Sequence, residues 1–344
     1  MRTMLVERFG VEPRVVEVPA PECPPTGAIV RVRATGVCRS DWHAWNGHDT
    51  SVRLPLVPGH EFAGVVEEVG GAVTRFRPGE RVTAPFVYAC GTCPQCLAGD
   101  QQVCSRQQQP GFTLAGSFAD LVVVLEADLN LVALPDMLGF AEAAGLGCRF
   151  ATAYRAAVTR AAVAEGDWVA VHGCGGVGLS AIVVARAAGA RVVAVDVSAD
   201  ALAAAERLGA IAVPAGDAAV AGIRTITDGG AQVSLDCFGS ASTCRASIAS
   251  LRPRGRHVQV GLLLGEDATP SLPMGDVIAR ELDILGSHGM AAHEYPAMLE
   301  AIASGRLSPA LILGRTIGFD ELGAALVEMS DPARGAGMTV AVWE

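Results

Sequence analysis

No lysine occurs among the 344 residues; all 26 basic side chains are arginine. This excludes Schiff-base chemistry, a Ser–Lys pair and the lysine of a Walker A phosphate loop. Positive charge is scarce overall, with a formal net charge of −10, which argues against a nucleic-acid-binding surface. No apolar run reaches the roughly 18 residues that a membrane-spanning helix needs, so no membrane role is expected. The first residues, Met1 to Arg8, begin like a strand and lack the apolar core of a signal peptide. The expectation is a cytoplasmic, reducing location, in which clustered cysteines are read as metal ligands rather than disulfides. Internal repeats and low-complexity linkers are also absent.

The length suggests two domains with ample core. Residues 1–146 are rich in Val, Pro and Gly. Short apolar runs at Ala28–Arg33, Phe62–Val69 and Phe118–Val124 are separated by turn signals such as Arg77-Pro78-Gly79, which predicts a mostly-β domain. Over residues 147–287 the rhythm changes. Short buried strands at Trp168–His172, Arg191–Val195, Ile211–Val213, Gln232–Asp236, His257–Val260 and Asp283–Leu285 alternate with Ala-rich helical stretches such as Gly176–Ala188 and Ala199–Leu208. That alternation predicts an α/β fold with a doubly wound parallel sheet. Residues 288–344 read as helix, strand, helix and a terminal strand at Thr339–Trp343, expected to return to the first domain's sheet.

Four cysteines, Cys90, Cys93, Cys96 and Cys104, follow the spacing C-x2-C-x2-C-x7-C in a loop tightened by glycine and proline. Four thiolates on one short loop can surround a tetrahedral zinc ion. An iron–sulfur cluster is the rival, because ferredoxin loops also open with C-x2-C-x2-C; the long last spacing and the lack of a proline after Cys104 favour zinc.

After the strand Trp168–His172 comes Gly173-Cys174-Gly175-Gly176-Val177-Gly178, and then a helix. In such a G-x-G-x-x-G turn Gly173 makes the turn, Gly175 admits a pyrophosphate and Gly178 lets the helix pack on the strand. The phosphates are then held at a helix N-terminus. Asp196 ends the following strand, and no arginine stands in the next few positions. A carboxylate there accepts from the ribose hydroxyls and repels a 2′-phosphate, so NAD is favoured over NADP.

Three further pieces carry possible metal ligands: Cys38-Arg39-Ser40-Asp41-Trp42-His43, Gly59-His60-Glu61 and Gly147-Cys148-Arg149. Taken singly, Cys148 is as readily a small buried apolar residue, and His60 a hydrogen-bonded core histidine. Taken in order with the four-cysteine loop, the Gly-Cys-x-x-x-Thr-Ala-Tyr block, the glycine turn and Asp196, they resemble the zinc-containing medium-chain alcohol dehydrogenase family over essentially the whole chain.

The resemblance implies a GroES-like mostly-β catalytic domain joined to a Rossmann cofactor-binding domain, with NAD and two zinc ions per chain. Cys38, His60 and Cys148 would hold the catalytic zinc and leave its fourth position open. This is the Cys2His set by which alcohol dehydrogenases are known to bind zinc. Cys90, Cys93, Cys96 and Cys104 would hold a structural zinc. Glu61 would approach the metal, Asp41 would fix the tautomer of the ligand histidine, and Ser40 and His43 would relay the hydroxyl proton. Arg39, Gly173, Gly175, Gly176, Val177, Gly178, Asp196, Val260, Leu262 and Ser287 would contact the cofactor. Phe86, Leu262 and His288 would face the substrate, with Trp45 near the mouth.

Two features usual in the family are missing: a lysine after the ribose-binding acid, where Ala201 stands, and an arginine in the terminal strand, where Met338 stands. Weaker binding of NAD(H) is the expected result. The implied reaction is reversible oxidation of primary or secondary alcohols to aldehydes or ketones by hydride transfer. A polyol or amino-alcohol dehydrogenase is the runner-up, although polyol enzymes usually carry Glu where Cys148 stands. A non-catalytic NAD(H)-binding protein is the reading from another class, and the intact zinc ligands argue against it. The short segment between Cys104 and Cys148 resembles bacterial-length members, so a homo-tetramer is expected, with a dimer as the alternative.

Overall fold

A computed structural model describes residues 1–331 and 335–344. The strands are β1 (Arg2–Leu5), β2 (Arg14–Glu17), β3 (Ala28–Val37), β4 (Phe62–Val69), β5 (Arg81–Thr83), β6 (Leu121–Val124) and β7 (Val132–Ala133) in the first part of the chain. There follow β8 (Trp168–His172), β9 (Arg191–Asp196), β10 (Ile211–Pro214), β11 (Ala231–Asp236), β12 (Leu251–Gln259), β13 (Asp283–Gly286), β14 (Leu313–Ile317) and β15 (Met338–Val342).

β8 to β13 form one six-stranded sheet in the order β10-β9-β8-β11-β12-β13, with every neighbour parallel. This is the doubly wound order. Its strand sequence reverses between β8 and β11, and the crevice at that point is where such sheets bind dinucleotides. Val169, Val171, Val193, Val233 and Leu235 are fully buried, as parallel strands covered on both faces require. β12 starts earlier than its apolar run predicts and takes in Pro253 and Gly255. A register shift against β11 and a left-handed Arg254 (φ 60°) form the irregularity that lets a sheet strand contain proline.

The second sheet runs β14-β15-β3-β4-β5-β7, with β6 also on β3. Its terminal strand β15 pairs antiparallel with β3, so Val340 faces Gly36 and Thr339 faces Val37. One apolar core is continuous across the two sheets: Ala34 and Ala63 join Leu146, Phe150, Leu179 and Val171 in a single buried cluster. No helix among the described residues is long and apolar enough to cross a membrane.

His172 ends β8 as a buried histidine, its Nε2 3.5 Å from Ser250 Oγ. Burial, with His257 nearby, pushes its imidazole down to about 3. The folded state therefore keeps it neutral, while the unfolded chain titrates near 6.5. Its contribution is complete above about pH 6.5 and is lost as pH falls from there toward 3, at about 1.4 kcal/mol per pH unit. The difference in thermal midpoint between the unaltered chain and His172→Gln should therefore shrink from pH 8 to pH 5. A pH-independent difference would count against this account.

Candidate active site and metal centres

The short helix Arg39–Trp45 follows β3 directly, so its N-cap residue, Cys38, sits at the strand end. Asp41 in its first turn is completely buried. One oxygen accepts from the Cys38 backbone N–H at 3.0 Å. The other accepts from the Gly59 N–H at 3.0 Å and from His60 Nδ1 at 2.8 Å. Gly59 has φ +99°, a left-handed turn crowded by Phe118, and this turn directs His60 at Cys38. Because Nδ1–H is given to Asp41, Nε2 presents its lone pair, and it is buried without a protein partner. Cys38 Sγ, His60, Glu61 and Cys148 Sγ bring one ligand atom each to within 4.8 Å of one another. Two thiols and an unpartnered imidazole nitrogen at this spacing suit a zinc ion.

Glu61 is fully buried and is held by Arg149, itself only 5% exposed. Arg149 donates its backbone N–H to Oε1 at 2.8 Å and its Nε to both carboxylate oxygens, at 2.9 and 2.8 Å, with Nη2 on Oε2. Burial pushes the Glu61 carboxyl up, and Arg149 opposes that shift.

In the second cluster the sulfur separations are 3.4 Å (Cys93–Cys96), 3.5 Å (Cys90–Cys104), 3.7 Å (Cys93–Cys104) and 4.0 Å (Cys90–Cys96). Four thiolates about 2.3 Å from one ion would lie about 3.8 Å apart; a disulfide needs about 2.05 Å. Backbone N–H donation, first from Cys96, pulls Cys93 down to about 5, whereas burial pushes Cys96 up to about 12. Such a set holds four negative sulfurs only around a cation.

The candidate cofactor turn lies at the reversal of the parallel sheet. Gly173 has φ +91°, and a Cβ on Gly178 would stand 1.8 Å from the Gly173 carbonyl oxygen. A Cβ on Gly175 would meet nothing within 4 Å, which leaves that side of the turn open to a ligand. Asp196 accepts from the Cys174 N–H at 2.6 Å and the Ser198 N–H at 2.8 Å, so it faces the turn from the end of β9. Val260 follows β12, its N–H on the Asp236 carbonyl. Ser287, just past β13, has a buried Oγ with no partner. Leu262 is half exposed. Arg39 donates to the Met329 carbonyl at 2.7 Å and lies over the Trp42 ring.

Phe86 stands edge-on between His60 (6.2 Å between centroids) and His288 (5.2 Å), so these two pocket candidates meet beside the candidate metal ligands. His288 Nδ1 donates to the Gln102 carbonyl at 2.9 Å, leaving Nε2 as an acceptor. Trp45 departs from its expected place at the mouth. Its indole N–H is held by the Val11 carbonyl at 2.6 Å, and the ring is buried in a cluster with Val6, Val52 and Leu56. It is a core residue, because a large ring on the inward face of a short helix buries more apolar area there than at a rim.

Ser40 and His43 lie three residues apart on one helix, hence on one face. His43 Nδ1 is 3.0 Å from His48 Nδ1, and burial, with His48 and Arg39 nearby, pushes His43 down to about 4. His48 is exposed and was not expected at the site. Thr152 was also missed. It lies one helical turn after Cys148 with a buried, unpartnered Oγ1, and its signal was its place in the Gly-Cys-x-x-x-Thr-Ala-Tyr block. Arg149 and Gln102 had no signal, since each acts through a partner distant in sequence.

A parallel nucleotide-binding sheet, an open glycine turn, and a Cys2His cluster at the sheet junction define a metal-dependent dehydrogenase. Residues 24–136 match the alcohol dehydrogenase GroES-like domain and residues 176–304 the zinc-binding dehydrogenase domain. The chain is 36% identical over 311 residues to an alcohol dehydrogenase of Geobacillus stearothermophilus, covering 89% of this chain and 90% of that one. It is 32% identical over 297 residues to a sorbitol dehydrogenase of Halalkalibacterium halodurans, covering 84% of each. Among solved structures, the alcohol dehydrogenase TADH from Thermus sp. ATN1 superposes with a TM-score of 0.91 at 33% identity, covering 99% of both chains. The chain belongs to the zinc-containing medium-chain alcohol dehydrogenase family, and it is an oxidoreductase acting on CH–OH groups.

Metal analysis tests the ligand assignment. The unaltered chain should carry two zinc ions and Cys38→Ser one, with turnover lost. Two zincs retained in Cys38→Ser would overturn the assignment.

Proposed function

We propose that the chain oxidises simple primary or secondary alcohols to aldehydes or ketones with NAD, and reduces them in reverse, at a zinc held by Cys38, His60 and Cys148. The observation that carries this reading is the buried, unpartnered Nε2 of His60 between two cysteine sulfurs. When bound, zinc supplies Lewis acidity at the substrate oxygen and the nicotinamide accepts the hydride.

The chain's own residues do the rest. Asp41 keeps the proton on His60 Nδ1, so that Nε2 stays a ligand. Ser40 would accept the hydroxyl proton at its Oγ while giving up its own toward His43, about one helical turn along the same face. His43, neutral at pH 7 because burial holds it near 4, passes the proton to His48 and solvent rather than storing it. Gly173, Gly175, Gly176, Val177 and Gly178 carry the pyrophosphate turn, with Arg39 contributing charge. Asp196 selects NAD by accepting from the ribose. Val260, Leu262 and Ser287 line the nicotinamide side, and the buried Ser287 Oγ is free to bond the carboxamide. Phe86 and His288 face the substrate. Cys90, Cys93, Cys96 and Cys104 hold a structural zinc. The same reading takes residues 1–146 with 288–344 as the catalytic domain and residues 147–287 as the cofactor domain, in a cytoplasmic homo-tetramer, with a dimer as the alternative.

A second reading, a diol or polyol as substrate, is favoured by one observation. His288 offers Nε2 as a hydrogen-bond acceptor beside Phe86, where a second substrate hydroxyl could donate. A panel of simple alcohols and vicinal diols, compared by kcat/KM, decides between them.

Asp196→Gly should lower the NAD-to-NADP ratio of kcat/KM by about tenfold or more, since a charge-assisted contact and a repulsion disappear together. An unchanged ratio would remove Asp196 from cofactor selection. His43→Gln should slow oxidation most near pH 7 and approach the unaltered rate above about pH 9, where hydroxide replaces the relay. A parallel drop at every pH would show that His43 serves structure alone.

A further inference from the structure

The terminal strand lacks the expected cation, yet the buried carboxylate beside the metal site is not left alone. Arg149 reaches it instead, from the residue after the proposed ligand Cys148. The register of β15 on β3 sets Val340 opposite Gly36, so Met338 shares that face. A Cβ on Gly36 would stand 2.3 Å from Glu61 Oε2 and 2.6 Å from Arg149 Nη2, so this face looks directly at the ion pair. Diagonal neighbours in a sheet lie about 7–8 Å apart, within reach of long side chains. A cation at position 338 would therefore compete for the carboxylate that Arg149 already binds. Met338 is instead fully buried, its methyl end packed against Gly145.

Arg149 also reaches the cofactor turn. A Cβ on Gly176 would stand 2.5 Å from its Cδ and 3.2 Å from its Nη1, so two glycines, Gly36 and Gly176, leave the space the side chain fills. Nε and Nη2 are engaged by Glu61. Nη1 makes no hydrogen bond to any described residue, and it is not a buried unpartnered atom.

We propose that Arg149 is a positioning residue that takes over the charge missing from the terminal strand: it fixes Glu61 beside the catalytic metal and presents Nη1 beneath the glycine turn to the cofactor's pyrophosphate. The inference rests on the reading of this turn as the NAD site.

The test uses the zinc-loaded chain, with NADH fluorescence titration, zinc content and thermal midpoint as readouts. Arg149→Met should keep its structural zinc and bind NADH about tenfold more weakly or worse, the scale of one charge-assisted hydrogen bond. Met338→Arg alone should lower the thermal midpoint, because two guanidiniums then crowd one buried carboxylate. In the Arg149→Met background the same change should raise the midpoint and bring NADH affinity back to within about threefold, since the charge is restored at the same carboxylate. NADH affinity of Arg149→Met within twofold of the unaltered chain would overturn the proposal. So would a Met338→Arg effect of the same size and sign in both backgrounds. If Arg149→Met does not fold, Arg149→Lys decides: one ammonium cannot serve carboxylate and pyrophosphate together, so unchanged NADH binding there overturns the proposal. Failure of the unaltered chain to bind NADH would instead overturn the cofactor assignment.

Discussion

The carboxylate of Asp41 ties together two stretches of chain that are separate in sequence: the strand end at Cys38, and the turn at Gly59 with the ring of His60 that follows it. Fully buried, it has no water to bond, so its acceptor capacity must be met by the protein. The donors that meet it are the ones that place two of the proposed metal ligands, Cys38 and His60, at a common point. The proposed metal site is thus preassembled by ordinary hydrogen-bond satisfaction, and the bond to His60 sets which of its nitrogens remains available.

The ion pair of Glu61 with Arg149 is the second such constraint, and it works through charge. Removing one partner of a buried pair typically costs about 3–5 kcal/mol, because the other is left uncompensated away from water. The pair reaches across the junction: Glu61 belongs to the stretch entering β4, and Arg149 opens the helix that leads into the nucleotide-binding sheet. The continuous core from Ala63 through Phe150 to Leu179 gives the same junction its apolar adhesion. The Cys38–His60–Cys148 cluster and the glycine turn are consequently held in one frame by both polar and apolar contacts.

Much of this was legible from local pattern. The parallel strands appear as short Val- and Ala-rich runs because both their faces are covered, and five of the six lie within about two residues of their apolar runs, β12 starting earlier. The glycine turn and the cysteine loop were legible because backbone geometry and ligand spacing are written in consecutive residues. What was not legible depends on partners far along the chain. Arg149 looked like any arginine until Glu61 was seen against it. His48 was an exposed histidine until its ring met His43. Trp45 misled for the converse reason: aromatic content cannot tell a pocket rim from a core, and only the Val11 carbonyl on its indole shows which it is.

The loop that carries the four cysteines is less remote from the chemistry than a peripheral clamp would be. Its short turn Gln101–Val103, just before Cys104, supplies the carbonyl that orients His288, and the Gln101 side chain meets His293 at 3.1 Å. His288 in turn abuts Phe86, which abuts His60, the proposed ligand. The path from one cluster of sulfurs to the other runs through a turn and three rings. An ion held by the loop would therefore act as a keel, keeping this wall of the proposed substrate chamber upright as well as the loop itself closed. Substrate preference would then have a lever outside the proposed chamber, in the packing of the cysteine loop.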